Sequence, residues 1–208
     1  MKSHSFKKPV FNASAIACLV LLLSLGATPA SAVDLPGATY QPVASTGGTA
    51  LRLNGAGIRR AGGSDLYAAG LYLDKPLLTL DAVLQSRAPK QLRVVILKDA
   101  SASDFAGLLI AGLVANSSDA ELVSLTPALF GIGELFGQQQ KLMAGDVFQI
   151  DWAEASGTTL SIIKKGIAAA NGARSFAEPG VFSAMLRVWL GDKPADAGLK
   201  RALLGQQT

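Results

Sequence analysis

The string Gly55-Ala56-Gly57-Ile58-Arg59-Arg60 opens with the spacing of a dinucleotide-binding fingerprint, whose glycines let the backbone approach a pyrophosphate. Arg60 stands where the third glycine belongs, and the string runs on into another strand-forming segment, not into a helix. Without a helix N-terminus there is no aligned set of amides to hold phosphates, so the pattern argues against nucleotide binding. Gly131-Ile132-Gly133 lies inside a helical apolar period and reads as close packing. The single histidine and single cysteine, His4 and Cys18, both fall within the first 32 residues. If that segment is removed, the remainder has no zinc site of the usual ligand set and no disulfide. It also lacks a cysteine nucleophile and the imidazole base of a Ser-His-Asp triad. A Ser-Lys or carboxylate-based site stays open; no metal and no cofactor is expected.

Residues 1–32 have the make-up of a secretory signal peptide. Lys2, Lys7 and Lys8 form a basic start, Ala13 to Leu25 an apolar run, and Ala30-Ser31-Ala32 a small-residue cleavage site. The run is about 13 residues, shorter than the roughly 17–25 that span a bilayer. Cys18 lies at the front of that run, not at its end, which argues against a lipoprotein. The expectation is export, cleavage after Ala32, a periplasmic or secreted location and no stable membrane span in the mature chain. Cleavage also changes the charge balance. The 19 basic residues fall to 16 against 15 acids, so the net charge drops from +4 to +1. A mature chain so balanced has no concentrated cationic face for nucleic acid. Arg59-Arg60 and Lys164-Lys165 read as residues at strand ends.

Residues 33–208 then suit one domain, burying roughly two thirds of its chain surface. Residues 33–50 read as an irregular arm with one short strand near Tyr40. Leu51 to Arg59 and Leu66 to Leu73 are two strands joined through Ala61-Gly62-Gly63-Ser64, a β-hairpin. Leu92 to Leu97, almost wholly apolar, is a central strand. Ser103-Asp104 caps a first helix carrying Phe105, Leu108, Leu109 and Leu113 at helical spacing. Ser118 and Glu121 have capping-box spacing for a second, which Pro127 breaks or restarts and which runs to about Met143. Val147–Trp152 and Thr158–Lys164 form a second hairpin, and Asn171-Gly172 lies in a loop. Val181, Met185, Val188 and Trp189 give the last long helix one core-facing stripe. Gly191 is placed as its left-handed stop, Pro194 bars continuation, and a short final helix follows. Asp192 and Lys193 read as turn residues. Strands, helices, strands, helix in that order point to an α+β fold with an antiparallel sheet, one face covered by residues 102–144 and 179–204.

Three strings carry a resemblance. WLGDKP (189–194) followed by D-x-x-L-K-x-A-L-L-G (196–205) resembles the C-terminal signature of bacterial chalcone-isomerase-like proteins. N-G-A-G-I-R (54–59) and A-G-L-Y-L (69–73) are similar to the facing strands of the chalcone isomerase fold. The resemblance covers most of residues 51–205. It implies a curved antiparallel sheet with helices packed on one side, enclosing a mostly apolar cleft.

In the enzymes an arginine of the first strand binds a phenolate or carboxylate, and Arg59 matches it. Tyr67 stands where they carry a threonine that orients a water and a tyrosine. Phe105 and Leu108 stand where they carry a tyrosine and a lysine. Stabilising a developing enolate requires donors aimed at the oxygen, and these two side chains have none. Non-catalytic plant members of the fold bind fatty acids with a comparable arginine and tyrosine. The resemblance therefore implies a protein without chalcone isomerase activity that binds a small amphipathic molecule such as a fatty acid. Arg59 and Tyr67 would hold its anion, and Phe105 and Leu108 would belong to its apolar wall. An alternative is an intramolecular lyase acting on another substrate. A further one is an envelope protein that binds a protein partner and no ligand. Arg59 paired with Asp65 or Asp151, and Tyr67 as an ordinary half-buried sheet residue, is the competing structural reading.

Overall fold

The computed structural model describes residues 1–2, 31–167, 170 and 172–206. The apolar run of the expected signal peptide, with His4 and Cys18, lies outside the described residues, as does Asn171. A short outer hairpin comes first, β1 (Val33–Leu35) with β2 (Ala38–Tyr40). Seven antiparallel strands then form the main sheet: β3 (Val43–Thr46), β4 (Thr49–Ala61), β5 (Ser64–Leu73), β6 (Lys90–Ile96), β9 (Val147–Ala153), β10 (Gly157–Ile163) and β11 (Gly172–Phe176). Their spatial order is β11-β10-β9-β6-β5-β4-β3, which puts the apolar strand β6 at the centre, as its composition predicts. Between β5 and β6 lies the short helix α1 (Leu80–Gln85). The tiny strands β7 (Ala100–Ser101) and β8 (Lys141–Leu142) pair with each other around α2 (Ala102–Ala115) and α3 (Asp119–Gly137). The chain closes with α4 (Val181–Leu190) and α5 (Ala197–Leu203).

The sheet curls into a half-barrel. Thr46 on β3 donates to Asp151 on β9 at 2.7 Å although three strands separate them in the sheet. One face carries the main core, with Leu71, Leu92, Val94, Phe148, Ile150 and Leu160 packed beneath the helices. All four residues of the predicted stripe, Val181, Met185, Val188 and Trp189, are buried there. The other face has a smaller apolar cluster around Tyr40, Leu51, Ala68 and Tyr72. There the outer hairpin lays the Tyr40 ring so close over Gly70 that a Cβ at that position would stand 2.4 Å from it.

Local chemistry accounts for most of the boundaries. Gly62 and Gly63, at φ +56° and +71°, make the two-residue turn that joins β4 to β5. Positive φ at both central positions matches the twist of an antiparallel pair. Gly47 and Gly48 (φ +57° and +79°) repeat that turn between β3 and β4, so the expected irregular arm is three strands. Ser118 and Glu121 form the predicted capping box.

Five local expectations need correction. The cap of α2 is Ser101, whose hydroxyl accepts from the Asp104 amide; Ser103 already lies within the helix. Pro127 does not break α3. It sits on the exposed side, as does Val123, the residue four positions back whose carbonyl a Pro127 N–H would otherwise have met. The helix ends at Gly137, and Leu142 belongs to β8 because β7 offers it a partner. Gly172 opens the edge strand β11, which shows no apolar alternation because only Phe176 on it is buried. Gly191 is extended (φ −71°, ψ −172°), and close approach requires a glycine there: a Cβ would stand 2.4 Å from Asn116 Oδ1. By length and mean hydropathy (1.2) α3 alone among the described helices could cross a membrane, yet Leu125, Ile132, Leu135 and Phe136 tie one of its faces to the core.

Candidate functional site

Where β4, β5 and β6 meet α2 and α4, a cavity of about 350 Å³ opens between sheet and helices. Its size is at the lower end of small-molecule sites. All four residues singled out from the sequence, Arg59, Tyr67, Phe105 and Leu108, line it. Ile96, Leu109, Val188 and Trp189 complete its apolar wall, and Lys98, Asp99, Ser101 and Asp104 also contribute to the lining.

Arg59 and Tyr67 are Cα partners across β4 and β5, so both project from the sheet face beneath the helices. The guanidinium carbon lies 5.7 Å from the Tyr67 ring centroid. Neither expected carboxylate partner reaches Arg59. Asp65 pairs with Arg60 at 2.8 Å. Asp151 sits on the opposite face, accepting from Thr46, Gln91 and Gln149. Among the described residues no carboxylate forms an ion pair with Arg59, and its buried Nε has no hydrogen-bond partner. A buried donor left in that state costs free energy.

Tyr67 is 4% exposed, more deeply buried than the half-buried sheet residue of the competing reading. Its hydroxyl accepts from Trp189 Nε1 at 2.9 Å. Burial pushes the phenol above its ordinary value and the Arg59 charge opposes this, so it stays protonated at neutral pH. Phe105 packs edge-on against Tyr67 at 6.0 Å and against Phe148 at 5.9 Å, forming the inner wall. Leu108 is 51% exposed and stands at the rim, outside the core stripe where its spacing placed it. At the mouth Asp99 accepts from the Ala144 amide and Lys98 donates to Ser64, so these charges are engaged locally. The arrangement is a protonated phenol beside a guanidinium that has no carboxylate partner, in a largely apolar cleft where Phe105 and Leu108 themselves present no acid or base.

A family model described as chalcone isomerase-like matches residues 32–205. The chain belongs to the chalcone isomerase-like family. Among solved structures, this family member is similar to the crystal structure of a fatty-acid binding protein from Arabidopsis thaliana, with a TM-score of 0.59 and 17% identity. The likeness covers 83% of this chain and 95% of the plant chain and shows a shared fold. No curated protein sequence matches the chain.

Trp189 is the site residue that sequence reasoning missed, since its helical spacing marked it only as core. The available signal was chemical: a buried indole N–H needs an acceptor, and a leucine would have filled the stripe without one.

Proposed function

We propose that this chalcone isomerase-like protein is a non-catalytic binder of a small amphipathic molecule with an anionic head. A medium- or long-chain fatty acid is the first candidate. The observation that carries this reading is Arg59, half-buried and without a carboxylate partner, in a cavity lined mainly by aromatic and aliphatic side chains. A guanidinium presents five fixed donors and no acceptor, so it suits an acceptor-only carboxylate. The fold shared with a plant fatty-acid binding protein is consistent with it. We further propose that the protein works outside the cytoplasm after removal of residues 1–32. The exported product should then have the intact mass of a chain beginning at Val33, and a product retaining that segment would remove the cleavage claim.

Melting curves with fatty acids and their methyl esters test the ligand. A ligand that binds only the folded state, at about a hundred times its dissociation constant, adds roughly 2.7 kcal/mol of stability. For a domain of this size each kcal/mol raises the melting temperature by roughly 2–4 °C. Acids should shift the curve and esters should shift it less. Equal shifts would remove the anion anchor, and no shift with any amphiphile would leave the partner-binding alternative ahead.

A further inference from the structure

Trp189 on α4 is 1% exposed, and its side-chain hydrogen bond goes to the Tyr67 hydroxyl oxygen. An indole N–H can only donate, so the direction of this bond is fixed. It occupies a lone pair of the phenol oxygen and leaves the phenol proton untouched. The Arg59 guanidinium beside the ring also acts on the phenol oxygen as a donor and cannot accept that proton either. Among the described residues no acceptor takes it, and Tyr67 lines the cavity. Two residues that line one cavity, Tyr67 and Arg59, thus each carry a donor without an acceptor, the phenol hydroxyl and the guanidinium Nε.

We infer that Trp189 is a positioning residue: by supplying a donor to the Tyr67 oxygen from the α4 side, it turns the phenol proton toward the ligand head group beside Arg59. The inference rests on the ligand reading above and adds to it a residue 122 positions away in sequence from the one it orients. The same device explains why an indole stands in an otherwise aliphatic stripe on α4.

The experiment is a double-mutant cycle read by calorimetric titration with dodecanoate and methyl dodecanoate. One hydrogen bond carries about 0.5–1.5 kcal/mol, so Trp189→Phe should weaken dodecanoate binding roughly two- to twelve-fold. The ester should be affected less. In a Tyr67→Phe background, Trp189→Phe should cost nothing further, because the hydroxyl it orients is gone. If Trp189 only packs, it loses the same factor in both backgrounds and with both ligands, and the inference falls. Should Trp189→Phe fail to fold, 3-benzothienylalanine at position 189 keeps the ring shape without the N–H and serves the same cycle. Failure of the ligand reading looks different: the unaltered protein then binds neither probe, and the role assigned to Trp189 goes with it.

Discussion

Arg59 faces Tyr67 because β5 contains one residue more than β4 needs. The Gly62-Gly63 turn pairs Ala61 with Ser64 and Arg60 with Asp65, and a regular ladder would next pair Arg59 with Leu66. The register shifts between Arg59 and Arg60 instead, so Arg59 lies opposite Tyr67. Such a bulge re-aims side chains, and here it puts guanidinium and phenol on one sheet face. The bulge is held from the next strand side, where the Leu97 and Lys98 amides both donate to the Leu66 carbonyl, at 3.0 and 3.3 Å.

Arg59→Met should leave the ligand-free protein as stable as before or more stable. The substitution removes a buried unpartnered donor and keeps apolar volume, a pattern expected where a residue serves binding at the expense of stability. Chemical denaturation measures it. A loss of more than about 1 kcal/mol would mean that Arg59 has a structural partner and is no anchor.

Chalcones should not be turned over. Phe105 and Leu108 present no donor to a developing enolate. Loss of chalcone absorbance with purified protein should match the spontaneous rate. Saturable acceleration that disappears in Arg59→Met would reverse the assignment.

Gly55 and Gly107 should respond oppositely to alanine. A Cβ on Gly55 would stand 2.0 Å from the Ala202 carbonyl oxygen of α5, backbone that cannot swing aside. Overpacking of this kind costs about 1–3 kcal/mol or more. A Cβ on Gly107 meets nothing within 4 Å on the exposed face of α2, so Gly107→Ala should stabilise by about 0.5–1 kcal/mol. Paired melting curves decide, and equal signs would refute the α5 contact.

Lys90 should make stability rise with pH on the alkaline side. Its side chain is sealed in, donating to the Ser86 and Ala88 carbonyls with Nζ 3.9 Å from the Trp152 ring centroid. Burial lowers its ammonium from 10.5 to about 8, opposed by the Asp74 charge. Between those values the unfolded chain binds the extra proton, so folding gains stability as pH rises from about 8 toward 10.5. Below that window both states are protonated and the difference is constant. Denaturation of the unaltered protein and Lys90→Met across this range should show the gain only in the former; parallel curves would refute it.

The elements readable from sequence are those whose cause is local. The Gly62-Gly63 turn, the Ser118–Glu121 capping box and the α4 stripe each need only a few neighbouring residues, and all three stand as read. Gly47-Gly48 carry the same turn chemistry, but β3 has no apolar alternation to announce a strand before it. Arg59, Tyr67, Phe105 and Leu108 came from a family resemblance, and the fold gathers them on one cavity. What the tertiary structure alone decided depends on contacts between distant residues. The curl is tied by Thr46 and Asp151, 105 positions apart, and the Tyr67 hydroxyl is oriented by Trp189, 122 positions away. Periodicity reports which face of an element is apolar; it does not encode which polar atom on that face meets a donor from another element. That is settled only when the sheet curls and α4 packs down upon it.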